Sequence, residues 1–140
     1  MKIKGHLAVA AVTSGILYCA AGSTAASAVS FIFCAFLDVD HIPDYLYNPG
    51  LKVTFKDLVQ KSRHLSRREK YYAPLHSYEF IILLTLVNAL YFTEAGFGIL
   101  TGSFLHLLSD IIANRPRPYA YFYLYRARKN FKKPDLFKPE

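Results

Sequence analysis

Cysteine is nearly missing from these 140 residues: Cys19 and Cys34 are the only two, and both lie inside apolar runs. A disulfide scaffold and a CxxC metal knuckle are thereby excluded, and both residues read as packing. Charge is scarce as well, with 19% Asp, Glu, Lys and Arg against 53% hydrophobic residues, where an ordinary soluble domain has about 25% charged. What charge there is gathers near 38–70 and 115–140, so the mean hydropathy of +0.17 averages over a segregated chain. The length fits one domain, read as a membrane-embedded part, 1–114, and a basic, aromatic tail, 115–140.

Four apolar stretches remain, at about 6–21, 24–40, 77–94 and 96–113, with Gly22-Ser23 and Ala95-Gly96 as breaks. They predict an all-α fold of four short transmembrane helices in two hairpins, running up-down-up-down. Each stretch is near the lower end of the ~17–25 residues that span a bilayer, so a soluble four-helix core competes with this reading. Small residues from Ala8 to Ser30 predict a tight first hairpin.

Lysine and arginine are absent from both short hairpin connections: all seventeen lie at 2–4, 52–70 or 115–138. The positive-inside rule puts those three regions on one cytoplasmic face of the inner membrane, both termini included. Lys2 and Lys4 ahead of an apolar run also imitate a secretory signal peptide, but cleavage there would discard His6. The excursion 41–75 carries a basic loop, with a short amphipathic helix expected around Thr54–Leu65. In the tail, Tyr119 to Tyr125 followed by Arg126 to Lys133 suits the headgroup layer and contact with anionic lipid. No folded recognition motif accompanies this tail, which disfavours nucleic acid as a partner.

Ionisable residues at membrane helix ends need partners. His6 opens the first stretch, Asp38 and Asp40 close the second, His76 opens the third, and His106 and Asp110 lie late in the fourth. On an up-down-up-down path all of these come to one side. His106 and Asp110, four residues apart, share a helix face and can reach one cation. Imidazoles with carboxylates suit zinc, iron or manganese. His41 and Asp44 are candidates for direct or supporting contact with the ion, and His64, in the basic loop, reads as solvated.

The combination of Gly5-His6, Asp38-x-Asp40-His41, Arg67 or Arg68 ahead of His76-Ser77, and Gly102-x-x-x-His106-x-x-x-Asp110 resembles the inner-membrane-associated metal-dependent hydrolase family also called LexA-binding. The likeness covers roughly residues 5–113. That family is distantly similar to zinc-dependent phospholipase C and the fungal single-strand zinc nucleases, which are all-helical. The resemblance implies that Asp38 or Asp40, His76, His106 and Asp110 ligate a metal, with His6 serving a second ion. Leu37-Asp38 replaces the family's Pro-Asp, and a basic insertion lengthens the loop from Asp44 to His76. The later His and Glu ligands of the three-zinc enzymes are missing, so one or two ions are expected.

The expected activity is hydrolysis of a phosphoester, in a phospholipid or lipid-linked phosphate at the cytoplasmic membrane face. Asp38 or Asp40 is the candidate general base, and Asp110 the candidate bridge between two ions. Arg67, Arg68 and Arg63 are candidate phosphate clamps. The alternative is a non-catalytic membrane adaptor, its structural metal stapling the helices and its basic loop recruiting a partner. An ion or proton carrier is a third reading, disfavoured because the ionisable residues cluster at one face.

Overall fold

The computed structural model describes residues 3–42, 70–114 and 116–137. Among these residues there are helices and no strand. The chain runs through α1 (Ile3–Ala21), α2 (Thr24–Phe36), a 3-10 turn (Leu37–His41), α3 (Tyr78–Leu90), α4 (Glu94–Asn114), α5 (Tyr123–Arg128) and α6 (Lys133–Leu136). The all-α expectation and the positions of the four apolar helices hold. Among the described residues, two stretches, Thr24–His41 and Glu94–Asn114, are both long and apolar enough to cross a membrane. At thirteen residues α3 is short of that length. The amphipathic helix expected around Thr54–Leu65 lies outside the described residues.

Local chemistry sets the breaks. Gly22 turns the chain between α1 and α2 with φ +66°, a left-handed value that glycine adopts without steric cost. Ser23 then caps α2, its hydroxyl accepting from Ala26 N at 3.1 Å. The same hydroxyl donates to Glu94 at 2.7 Å, tying the first helix connection to the start of α4. Ser77 caps α3 by accepting from Phe80 N at 3.2 Å. His76 is thus held immediately ahead of a defined helix start.

The most extensive helix contact joins α2 to α4, with α1 lying on α2 and α3 on α4. Its cause is a stripe of small residues on each partner. On α2, Ala26, Ser30 and Cys34 recur every fourth position and are buried; on α4, Gly98 and Gly102 continue into His106 and Asp110 at the same spacing. Residues four apart stack on one helix face, so the two backbones meet closely. A methyl group at Gly98 would lie 2.5 Å from the Ala26 carbonyl oxygen, and one at Gly102 would collide with the Ser30 carbonyl oxygen. Thr101 bridges the same interface, its hydroxyl donating to Ser30 Oγ at 3.3 Å.

Polarity is distributed opposite to that of a water-soluble bundle. His6, His76, His106, Asp110, Ser30, Ser103 and Arg126 are buried, while Val12, Ile16, Leu83, Leu86, Leu90 and Ile112 are exposed, Leu90 at 75%. The tail is no loose extension. Tyr71 N donates to Phe131 O and Tyr78 N to Tyr121 O, which folds α5 and α6 back onto the approach to α3. Arg126, which the sequence suggested for the headgroup layer, is fully buried.

Replacing Gly98 by alanine is expected to destabilise the bundle by about 1–3 kcal/mol through overpacking against α2. Gly15→Ala, whose methyl would meet nothing within 4 Å, is expected to stabilise by up to about 1 kcal/mol through helix propensity. Thermal unfolding of both variants in detergent, followed by circular dichroism, checks the contrast.

Candidate metal centre

Four separate elements deliver side chains to one place. His6 comes from the first turn of α1, Asp38 and His41 from the 3-10 turn, His76 from just before α3, and His106 and Asp110 from the last turns of α4. The imidazoles of His6, His76 and His106 have no solvent exposure. Two groups of ligand atoms result, each gathered within 4.8 Å: His6, Asp38, His106 and Asp110, and Asp38, His41 and His76. Asp38 belongs to both.

Neighbours fix the tautomers of two of these rings. His106 Nδ1 lies 2.7 Å from the carbonyl oxygen of Cys34, which can only accept, so that nitrogen carries the hydrogen and Nε2 keeps a lone pair. His76 Nδ1 lies 2.8 Å from Asp40 Oδ1, a charge contact without hydrogen-bond alignment, and the carboxylate favours the hydrogen on that nitrogen. Asp40 is braced in turn by Leu75 N, which donates to Oδ2 at 2.8 Å. Carboxylate or carbonyl behind imidazole is the usual support of a metal-ligating histidine.

The two Nε2 atoms that remain face each other at 3.0 Å. Two bare nitrogens at that distance repel unless a cation lies between them, either a proton or a metal. Two imidazoles on one zinc, with bonds of about 2.0–2.1 Å and ordinary bond angles, place their nitrogens about 2.9–3.4 Å apart. Asp38 Oδ1 lies 3.4 Å from His76 Nε2 and 3.6 Å from His106 Nε2, and Asp110 Oδ2 lies 3.9 and 4.0 Å from the same atoms.

His6 addresses the opposite oxygens of the same carboxylates. Its Nε2 is 3.7 Å from Asp38 Oδ2 and 3.3 Å from Asp110 Oδ1. The His6 ring stacks on His106 at 3.9 Å, within 8° of parallel. Neither nitrogen of His6 makes a hydrogen bond despite complete burial, a costly state unless another partner takes the lone pair. The donor set, its closeness and the orphaned imidazole all fit a bound metal ion. The side chain of Asp38 is 39% exposed, which leaves one flank of the centre open to solvent.

Of the residues singled out in the sequence, His6, Asp38, His76, His106 and Asp110 come together. Asp40 stands behind His76, its oxygens directed at His76 Nδ1 and Leu75 N. His41 joins the centre through Nε2, 3.4 Å from Asp38 Oδ1. Arg63, Arg67, Arg68, Asp44 and His64 lie outside the described residues. Sequence reasoning missed Cys34, whose carbonyl carries no side-chain signal, and Arg126, which sits in a tail that reads as interfacial. No family model matches this chain, and no curated protein or solved structure matches it either.

Burial disfavours a charged ring at His76, but the carboxylates of Asp38 and Asp40 outweigh it and hold its pKa up at about 9. In the metal-free protein His76 is therefore protonated at neutral pH, and Nε2 must release that proton before it can ligate. Metal affinity is expected to weaken as pH falls below about 9 and to level off above it, with proton release on binding. Calorimetry with cobalt in buffers of different ionisation enthalpy checks this. Asp40→Asn, which removes the charge behind His76, is expected to weaken metal binding by about 10–100-fold, read by competition with a chromogenic chelator.

Proposed function

We propose that this protein is a multi-pass membrane enzyme that uses a divalent metal centre, zinc by preference, to hydrolyse a phosphoester of a lipid. The observation that carries this reading is the meeting of three buried imidazoles and two carboxylates from four helical elements, with one side open. A purely structural zinc site is closed, whereas a catalytic one keeps a position for water or substrate. The partial exposure of Asp38 supports the second type.

A bound divalent cation would supply Lewis acidity, lowering the pKa of a water and offsetting charge on phosphoryl oxygens. The protein's own residues do the rest. His76 and His106 present Nε2 because Asp40 and the Cys34 carbonyl occupy Nδ1. Asp38 and Asp110 each offer one oxygen to that histidine pair and the other to His6, an arrangement that accommodates two ions.

The membrane setting rests on the inverted polarity. Charged and imidazole side chains fill the interior, and leucines, isoleucines and valines face outward, as expected for helices solvated by lipid. Four helices then cross or enter the bilayer, α3 as a short span, with the metal centre at the end carrying the basic segments, the cytoplasmic face. An apolar groove between α3 and α4, lined by Tyr78, Ile82, Phe104, Leu107 and Ile111, supports a lipid substrate.

The test is to purify the full chain in detergent, quantify bound metal, and assay release from phosphodiester and lipid-phosphate substrates. His106→Ala and Asp110→Asn are each expected to lower turnover at least about a hundredfold and to reduce bound metal. Undiminished turnover in both variants removes the proposed centre. Stoichiometric metal whose chelation melts the helices, with no hydrolysis of any phosphoester, reassigns the chain to the membrane-adaptor reading.

A further inference from the structure

Arg126 has zero exposure and lies in the C-terminal segment, after the last proposed ligand, Asp110, in the chain. Its fork of donors is committed to the backbone that carries His76. Nη1 donates to Tyr72 O and to Ala73 O, and Nη2 donates to His76 O. We propose that Arg126 is a positioning residue of the metal centre, through which the C-terminal segment sets the place of His76. The proposal rests on the metal-centre reading above.

The turn that Arg126 clasps does not hold itself. Ala73 adopts φ +32°, a left-handed value unfavourable for a residue with a Cβ, and it is fully buried. Within the turn, His76 N donates to Ala73 O at 3.1 Å and Ser77 Oγ donates to Pro74 O at 2.7 Å. Leu75 N ties the turn to Asp40 Oδ2 at 2.8 Å. Arg126 adds a second tie on the opposite, carbonyl side: a planar guanidinium with rigidly spaced donors can hold carbonyls at both ends of the turn at once. A lysine ammonium, a single point on a flexible stem, cannot keep the same three oxygens in register.

Two supports thus act on His76 from different directions, Arg126 on its backbone and Asp40 on its ring. Arg126 is itself confined. The rings of Tyr71 and Tyr123 lie 5.1 and 5.5 Å from its guanidinium carbon. Glu79 accepts from Tyr123 N at 2.9 Å and Leu124 N at 3.1 Å, anchoring the helix on which Arg126 sits. Fully buried and holding three backbone carbonyls, Arg126 acts through His76 and not on substrate.

The test measures cobalt affinity and the visible absorption of bound cobalt in the detergent-solubilised full chain. Arg126→Lys is expected to weaken cobalt binding by about tenfold or more and to change the absorption envelope, with the helical circular dichroism of the wild type retained. Placed in a His76→Ala background it should add no further loss, while in a His6→Ala background it should cost its full amount. Millimolar guanidinium should restore affinity to Arg126→Gly. An equal additional loss in both backgrounds, or a loss of helical signal in step with the loss of metal, overturns the proposal and assigns Arg126 to general folding. Wild-type affinity in Arg126→Lys overturns it alone, leaving the metal centre standing; absence of cobalt binding by the wild type removes both.

Discussion

Everything at the candidate centre depends on how closely α4 lies against α2. Gly98 and Gly102 leave no side chain between the two backbones, and the Ala26, Ser30 and Cys34 face of α2 fills the remaining space. In an apolar surrounding, close packing has to do the work that the hydrophobic effect does in water. The same approach brings the Cys34 carbonyl within 2.7 Å of His106 Nδ1, so one contact both joins the helices and selects the tautomer of a ligand. One further helical turn along the stripes the small residues give way to Asp38 on one partner and Asp110 on the other.

The interior built this way is polar where most protein interiors are not. Three histidines and two carboxylates crowd together, and two of the imidazoles face each other through atoms that lack hydrogens. Such an arrangement is stable only with positive charge at its middle. A proton on His76 serves in the metal-free chain, and a divalent cation serves better because it meets more lone pairs at once. His6 adds to the case, since its completely buried imidazole makes no aligned hydrogen bond and turns Nε2 to the Asp38 and Asp110 carboxylates at 3.7 and 3.3 Å.

The C-terminal segment packs against the approach to α3: Tyr121, Arg126 and Phe131 contact the stretch from Tyr71 to Tyr78. That stretch carries His76. The segment therefore belongs physically to the same end of the bundle as the proposed ligands, and its one buried guanidinium is tied into their support.

The sequence by itself determined the helical class, the four apolar helices, the two connections without basic residues, and the shortlist of His6, Asp38, Asp40, His76, His106 and Asp110. Those features were legible because hydropathy, turn residues and the four-residue spacing of Gly102, His106 and Asp110 are local. Which carboxylate faces the imidazoles was left open between Asp38 and Asp40, and the fold decided it: the 3-10 turn aims Asp38 at the Nε2 atoms and sends Asp40 behind His76. Arg126 likewise looked like one more interfacial cation, since nothing local distinguishes an arginine that snorkels to headgroups from one that binds three carbonyls about fifty residues away. Direction of a side chain in a turn, and partners distant along the chain, are set by how helices pack, and packing is a property of the assembled molecule alone.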